Sequence, residues 1–403
     1  ASLFAGLASV WLFFVLFRPR IGTRPTLIGC LFLATSPAWL FTSSLLKNDS
    51  LLLLSLLFLL SACFGILDQG RAKDYALAGI GMGLCLAFKY QFFALVPLIY
   101  SHRLRLSSLS WPRAIFRKEL FLSLGLGLFI FFILSPFQFL HPIKTITMLG
   151  LEISIQSRVH PLLKASPLLF YHKPLLFQLL CALPLALGIF GYLIAIPGFG
   201  FCPRVFGKKG FRLFISYPLF FFFGFALISK LGYPHLYLLF TPFFAVSAGL
   251  TIDWLLGKKF FYQLAGLLLA GTVLFNPLSF WGFNQAQKEI VYQGLDWASS
   301  LPSPANTQGR AGKDRAGLNE MIVVFFPYRP LSHSSYQMDF QFLPQFMLTE
   351  KWLSENHPGK ILVHQTYYLA YLDNPEIQSP DRTGFFLLKE GKLGYKLLRE
   401  WKA

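Results

Sequence analysis

Polar side chains that could do chemistry stand at a few places in an otherwise apolar sequence. Asp49 lies in a short polar break between two apolar runs, and Lys89 lies deep inside a third run. Charged groups in such surroundings are costly to desolvate, so they mark functional sites. A carboxylate can act as a base, bind a divalent cation or orient a hydroxyl group, whereas a lysine suits a phosphate group. Tyr90, directly after Lys89, would add a hydrogen bond.

Two further polar clusters accompany later apolar runs, the first made of Glu152, Arg158 and His160 and the second of Tyr233, His235 and Tyr237. Each candidate also has an alternative that involves no chemistry. Asp49 or Ser50 could cap the helix expected from Leu51. Lys89 could extend its charged end to a membrane surface, and tyrosines commonly line that surface. The residues alone leave these alternatives open.

Hydrophobicity divides the chain of 403 residues, of which 55% are hydrophobic. Residues 1–282 form nearly continuous apolar runs, while residues 283–403 have the composition of an ordinary soluble sequence. A bilayer core of about 30 Å needs about 20 helical residues, so runs of that length predict membrane spans. We therefore expect an all-α polytopic membrane bundle over residues 1–282, followed by a small soluble α/β domain over residues 283–403.

The charge is divided in the same way. Residues 1–282 carry 23 Lys and Arg against 6 Asp and Glu, whereas residues 283–403 carry 13 against 12. The excess lies in short loops between apolar runs, which indicates membrane topology rather than binding of nucleic acid. The five cysteines lack metal-ligand spacing, so we expect neither a zinc site nor a disulfide framework. The sequence also lacks a Walker loop, a dinucleotide-binding GxGxxG, an HExxH and a nucleophile elbow.

The basic loops predict the topology. Those near residues 18–24, 68–74, 103–118, 204–212 and 258–259 are expected on the inner side, which puts Asp49 on the outer side. Single spans are expected over residues 1–17, 27–46, 51–67, 120–140, 175–197, 213–228, 238–256 and 260–281. Tyr75–Tyr100 has inner loops at both ends, so it is expected to form two short or re-entrant helices with Lys89 near their tip. Three glycines on this run allow close helix packing: Gly79, Gly81 and Gly83.

Residues 283–403 show an α/β pattern. Short apolar runs predict strands at Met321–Phe326 and Ile361–Thr366, and helices at Val291–Ser299 and Phe346–Asn356. A closing hairpin is expected between residues 383 and 398.

Several short motifs follow one another in a fixed order: Ser36-Pro37, Lys47-Asn48-Asp49, the glycine-rich run from Asp74 to Leu84, Ala87-Phe88-Lys89-Tyr90, Ser135-Pro136-Phe137, and Tyr237 with Pro242. In this order they resemble the bacterial dolichyl-phosphate-mannose–protein mannosyltransferase-like group, in the same broad class as the lipid A aminoarabinose transferases. The resemblance covers about residues 1–282. It implies an inverting GT-C glycosyltransferase that uses polyprenyl-phosphate-linked sugars.

The resemblance also implies roles for individual residues. Asp49 matches the second acidic site of the family and is expected to be catalytic. Lys89 matches the basic residue at the donor phosphate, where Tyr90, Arg158 and His160 are expected as further contacts. The first acid of the family follows its first helix and has no counterpart here, so we expect either a chain truncated at its N-terminus or an inactive remnant. Weaker substrate contacts are expected at Glu152, Tyr233, His235 and Tyr237.

The expected reaction moves a sugar from a polyprenyl-phosphate donor to a hydroxyl group of a lipid, glycan or protein acceptor, with inversion. It is expected at the outer face of the inner membrane, among membrane lipids, with no nucleic acid as partner. No cofactor is certain, and a divalent cation, if one is used, would bind at Asp49. The alternatives are a transporter or flippase for lipids or solutes, and a membrane-anchored extracytoplasmic binding protein. A transporter is expected to show paired repeats, and the sequence has none.

Overall fold

The computed structural model describes two separate parts of the chain. In the first it covers residues 2–44, 48–89, 91–143, 145–147, 149–150, 174–228, 234–258, 261–279 and 281. In the second it covers residues 322–325, 340–343, 353 and 360–363. Contacts along the backbone divide the chain into two units: Ala1–Val159 with Ser166–Trp281, and His160–Ala165 with Gly282–Ala403.

The described elements of the first unit are helical. They begin with α1 (Ser2–Ile21), α2 (Thr23–Thr35), α3 (Pro37–Ser44), α4 (Asp49–Asp68), α5 (Ala72–Lys89), a 3-10 turn (Phe92–Ala94) and α6 (Leu95–Arg105). They continue with α7 (Trp111–Ile115), α8 (Lys118–Leu134), α9 (Pro136–Leu140), α10 (Pro174–Phe177), a π-helical segment (Gln178–Ala182), α11 (Leu183–Leu187) and α12 (Ile189–Gly198). The last are α13 (Cys202–Ile228), a 3-10 segment (Pro234–Phe240), α14 (Thr241–Leu256) and α15 (262–279).

Several of these helices are candidate membrane spans. Among the described residues, Ser2–Ile21, Asp49–Asp68 and Leu236–Leu256 are each long and apolar enough to cross a membrane, and two bent pairs raise the number to five. Helices α2 and α3 meet at 57°, while Leu175–Leu187 and Ile189–Gly198 meet at 110°. The protein is therefore a mostly helical membrane protein, as its sequence predicts.

The two bends differ from the single spans expected over residues 27–46 and 175–197. Ser36 has extended backbone, with φ −64° and ψ 136°, because proline disfavours helical conformation in the residue before it. Gly188 has a φ of 77°, a left-handed conformation that glycine adopts without strain. Asn276 Nδ2 donates to the carbonyl oxygen of Leu187 at 3.4 Å, which satisfies a backbone group that the bend releases.

One predicted loop is also helical. Residues 204–212 belong to α13, which starts at Cys202 and contains a non-helical residue at Gly207, with φ 67°. The chain therefore turns inside this element rather than in a separate loop.

Helix α5 is packed between α4 and α8. A Cβ atom at Gly81 would lie 2.9 Å from the Cα of Leu59 in α4, and one at Gly83 would lie 2.5 Å from the carbonyl oxygen of Gly127 in α8. Gly79 approaches the backbone of α8 just as closely. Small residues let membrane helices come this near, so the predicted role of these glycines is confirmed.

Helices α5 and α6 form a hairpin. The C-terminal end of α6 lies against the N-terminal end of α5, where the Tyr75 hydroxyl donates to His102 Nδ1 at 2.7 Å. Arg105 donates to backbone carbonyl groups of residues 67–69, directly before α5 begins. The chain therefore runs along α5 and returns along α6, and the expected pair of short helices with Lys89 near the tip is confirmed.

The loops with the highest positive charge meet at one end of the bundle. Arg20 pairs with Asp68, the last residue of α4, at 3.1 Å. Arg24 pairs with Asp253 near the end of α14. With Arg105 these residues define what we call the basic end. The end of α4, the start of α5 and the end of α6 all lie there, as the charge pattern predicts.

The second unit contains a parallel sheet of three strands in the order β2-β1-β3. The strands are β1 (Ile322–Phe325), β2 (Phe340–Leu343) and β3 (Lys360–Val363). Ile322 is in register with Phe340 on one side and with Lys360 on the other. The predicted strands near residues 321–326 and 361–366 correspond to β1 and β3, while β2 was not predicted. Of the predicted helix at Phe346–Asn356, Leu353 is described and is helical; the predicted helix at residues 291–299 and the hairpin lie outside the described residues.

Candidate functional site

Asp49 and Lys89 lie at the end of the bundle opposite the basic end. Asp49 is the first residue of α4, and Lys89 is the last residue of α5. The two helices have 20 and 18 residues and are therefore about 30 Å and about 27 Å long. Because a short turn after Asp68 joins them at the basic end, the antiparallel pair carries both charged residues to the same distant place.

The two side chains form an ion pair, in which Lys89 Nζ donates a hydrogen bond to Asp49 Oδ1. The Asp49 side chain is 7% exposed and the Lys89 side chain is 38% exposed. The carboxylate is thus nearly enclosed, whereas the ammonium group is open on one side. Each charge also offsets the dipole of its own helix, since the acid lies at an N-terminus and the cation at a C-terminus. The structure therefore brings together the two residues that the sequence singles out.

The capping alternative for Asp49 is wrong. The N-cap position of α4 is Asn48, and no side-chain hydrogen bond caps this helix. Asp49 occupies the first helical turn, and its carboxylate is turned to Lys89 instead. The direction of this carboxylate is therefore set by its contact with α5 and not by a capping bond to its own helix.

Ser50 adds a polar group that the sequence suggested only as a cap. Its side chain is 1% exposed, and its hydroxyl group has no hydrogen-bond partner among the described residues. A buried hydroxyl group without a partner is unfavourable, because it has lost its hydrogen bonds to water. The signal in the sequence was the polar break itself, in which Ser50 directly follows the candidate acid.

The end of α5 is held in place from two sides. Gln91 donates its backbone N–H to the carbonyl oxygen of Cys85 at 3.4 Å, and the turn at Phe92–Ala94 follows. On the other side, Ser135 Oγ donates to the carbonyl oxygen of Ala87 at 3.4 Å. Ser135 belongs to one of the motifs that carry the family resemblance, and the structure places it within one turn of Lys89.

The 3-10 segment Pro234–Phe240 packs against α3 and α4. His235 belongs to this segment, and Tyr237, two residues later, has a fully buried side chain. The Tyr237 ring stacks on Phe240, with 6.1 Å between the ring centroids. Packing is therefore one role of Tyr237, and a contact of Tyr237 or His235 with substrate stays a prediction.

The remaining candidates lie outside the described residues: Tyr90, Glu152, Arg158, His160 and Tyr233. Within the described part of the chain, no group of three His, Cys, Asp or Glu side chains is placed to hold a metal ion. A divalent cation at Asp49 therefore also stays a prediction.

Comparisons with known proteins agree with the motifs. The family model described as dolichyl-phosphate-mannose-protein mannosyltransferase matches residues 1–138. This range holds Asp49, Ser50, Lys89 and Ser135, so the resemblance is confirmed for the part of the chain that contains the ion pair. Among curated proteins none matches the chain.

One solved structure is similar, the crystal structure of ArnT from Cupriavidus metallidurans bound to undecaprenyl phosphate. The two chains are 16% identical, with a TM-score of 0.45 over 66% of this chain. This chain covers 48% of the length of that structure. A similarity at this level carries no inference about fold or chemistry.

Proposed function

We propose that this protein is a membrane glycosyltransferase that moves a sugar from a polyprenyl-phosphate-linked donor to a hydroxyl acceptor, with inversion at the sugar carbon. The observation that carries the proposal is the Asp49–Lys89 ion pair at the end opposite the basic loops. An acid and a cation that lie side by side at one end of a membrane bundle suit a reaction in which a proton is removed and a phosphate group leaves.

Lys89 binds the phosphate of the donor in this proposal. Its ammonium group is partly exposed and lies at a helix end, within reach of a lipid headgroup. A charge-assisted hydrogen bond to phosphate becomes stronger as the leaving group gains negative charge. Lys89 would therefore stabilise the departing polyprenyl phosphate more than the bound donor.

Asp49 receives the proton of the acceptor. The acceptor oxygen attacks C1 of the sugar, the bond between C1 and the phosphate oxygen breaks, and polyprenyl phosphate leaves with the electron pair. The hydroxyl proton passes to the Asp49 carboxylate, so charge and atoms balance. A carboxylate as enclosed as Asp49 keeps a fixed direction toward the acceptor.

Donor binding would alter the pair itself. With no donor bound, Lys89 is paired with Asp49. A donor phosphate would compete for Lys89 and weaken this pairing. The Asp49 carboxylate would then be free to accept a hydrogen bond from the acceptor hydroxyl group.

The placement in the cell follows from the same geometry. The basic end carries the charge pattern of the inner side of a membrane, so Asp49 and Lys89 would lie at the outer face of the inner membrane. Residues 283–403 would form a soluble α/β domain on the outer side, and the parallel strands β1 to β3 support its α/β class. This domain and the outer loops would select a lipid, glycan or protein acceptor.

The experiment compares two acidic residues at opposite ends of one helix. Sugar transfer from a polyprenyl-phosphate donor is measured in membranes that contain the full chain or its variants. Asp49→Asn should lose roughly 100-fold or more, because a general base contributes on the order of 100- to 10,000-fold. Asp68→Asn is the control, since Asp68 ends α4 and is paired with Arg20 at the basic end. Equal transfer by the two variants would contradict the proposal.

A further inference from the structure

An apolar groove lies between α12, α14 and α15, far along the chain from the ion pair. It has a volume of about 350 Å³, within the range of roughly 300–1,000 Å³ of ligand pockets. Its lining is made of Leu193, Ile194, Pro197, Phe201, Thr251, Trp254, Leu255 and Leu268. Thr251 is the polar residue of this set, and its hydroxyl already donates to the carbonyl oxygen of Ser247 at 3.1 Å. Apart from this hydroxyl group and the indole N–H of Trp254, the lining side chains are apolar, so the groove suits a hydrocarbon chain.

The groove is open on one side. Leu193 is 55% exposed and Trp254 is 44% exposed, whereas Ile194 and Leu255 are buried and form the floor. Helix α15 contacts the start of α12 through Phe190 and Phe275, whose ring centroids are 5.8 Å apart. Leu268 of α15 lines the groove opposite Thr251 and Trp254 of α14.

Two cations lie where the groove reaches the basic end. Phe201 and Trp254 face each other there, with 5.7 Å between their ring centroids. Arg204 donates its backbone N–H to the carbonyl oxygen of Phe201 at 3.1 Å. Lys258 donates its own to the carbonyl oxygen of Leu255, the neighbour of Trp254, at 3.0 Å. Both residues are therefore one turn of the backbone away from this ring pair. Both are exposed.

Neither cation has an acidic partner within the described part of the chain. The ion pairs found there are Arg20–Asp68, Arg24–Asp253, Arg71–Asp74 and Lys89–Asp49. Asp253, the acid nearest to the groove in sequence, is thus already paired with Arg24. An apolar groove that ends at two unpaired cations is complementary to a molecule with a hydrocarbon tail and an anionic head.

The geometry points to a binding site for an anionic phospholipid, such as phosphatidylglycerol, from the leaflet at the basic end. One acyl chain lies in the groove against Leu268 and Trp254. The headgroup phosphate lies between Arg204 and Lys258, because cations at a membrane surface attract anionic lipids. This site is separate from the proposed sugar-transfer site, and it holds a structural lipid rather than a substrate.

The test uses Trp254 as a reporter of the groove. The full chain is placed in nanodiscs of phosphatidylcholine that contain a small share of brominated phosphatidylglycerol or brominated phosphatidylcholine. Bromine on an acyl chain quenches the fluorescence of a tryptophan that it touches. The same measurement on Trp254→Phe gives the signal of the other tryptophans, which is then subtracted. Quenching should need less brominated phosphatidylglycerol than phosphatidylcholine, by about fivefold for each cation that contributes.

Variants test the binding of the headgroup and of the acyl chain separately. Arg204→Gln with Lys258→Gln should abolish the preference, whereas Lys73→Gln, which removes an exposed cation from the start of α5, should keep it. Leu268→Phe should reduce quenching by both lipids because it fills the groove, while Leu128→Phe on the exposed side of α8 should not. Equal quenching by both lipids in the unaltered chain would contradict the preference for an anionic lipid. If Leu268→Phe left quenching unchanged, the groove would not be the binding site.

Discussion

Lys89, the last residue of α5, donates a hydrogen bond to Asp49, the first residue of α4. The two residues are 40 positions apart in the sequence. They meet because the chain turns after Asp68 and α5 runs back along α4. The two helices have nearly the same number of residues. Substitutions at Asp49 and at Lys89 therefore test the proposed catalytic roles separately.

Replacing Lys89 should weaken transfer more than it weakens donor binding. Lys89→Ala removes the cation that stabilises the leaving phosphate, and transition-state stabilisation should fall by about 2–4 kcal/mol. Lys89→Arg should recover only part of the rate, because a planar guanidinium group does not replace a point charge. The measurement is kcat and KM for the polyprenyl-phosphate donor in membranes.

A control is needed because Lys89→Ala also leaves the enclosed carboxylate of Asp49 without its partner. Removing both charges, in Asp49→Asn with Lys89→Met, should restore the amount of folded protein but not the transfer of sugar. If Lys89→Ala transferred sugar like the unaltered chain, the phosphate role of Lys89 would be wrong.

Ser50 should contribute to donor or acceptor binding. Its buried hydroxyl group is unpartnered among the described residues and lies next to Asp49 in the chain. Ser50→Ala removes an unsatisfied group, so thermal stability should stay the same or rise slightly. Transfer should nevertheless fall by about tenfold, which corresponds to the loss of one hydrogen bond of ~1.4 kcal/mol. A variant with unchanged KM and kcat would show that the hydroxyl group binds nothing.

The packing of α5 should not tolerate a side chain at Gly83. A Cβ atom there would lie 2.5 Å from the carbonyl oxygen of Gly127, so Gly83→Val should cost about 1–3 kcal/mol in thermal unfolding. Gly125→Val on α8 is the matched control, since a Cβ atom at Gly125 would meet nothing within 4 Å. Similar unfolding temperatures for both variants would contradict the observed contact between α5 and α8.

The α5–α6 hairpin should be accessible from opposite sides of the membrane at its two ends. Phe92 is 53% exposed at the tip, and Ser108 is exposed beyond α6 at the basic end. In a cysteine-free background of intact cells, a thiol reagent that cannot cross membranes should label Phe92→Cys and not Ser108→Cys. Labelling of Ser108→Cys alone would reverse the proposed topology.

The hairpin could be predicted from sequence because charge alone determines it. A single span over Tyr75–Tyr100 would place its two flanking loops on opposite sides, but both loops are expected on the inner side. In the structure, Arg105 at the end of α6 indeed donates to carbonyl groups at the end of α4. Close packing at Gly81 and Gly83 was predictable for a similar reason, since small residues in a membrane helix have few other uses.

The ion pair itself could be predicted only as a shared location. Topology places Asp49 and Lys89 at one end, but whether they touch depends on the packing of α4 against α5. The bend at Gly188 was not predicted because nothing local to residues 175–197 demands a left-handed glycine there. Asn276, which satisfies the released carbonyl group, lies far away in the sequence. The groove was missed for the same reason, since it forms from three helices that no sequence pattern brings together.

The central claim is that the Asp49–Lys89 pair performs sugar transfer and does not merely hold α4 to α5. The most direct measurement is transfer from a polyprenyl-phosphate donor by the charge-exchanged chain, Asp49→Lys with Lys89→Asp, beside each single variant. The exchanged pair can still form its salt bridge, at a cost of about 0.3–1 kcal/mol for each helix dipole. We expect the exchanged chain to accumulate in membranes more than either single variant and to transfer no more sugar than they do. Transfer near the level of the unaltered chain would show that the pair is structural and would contradict the account.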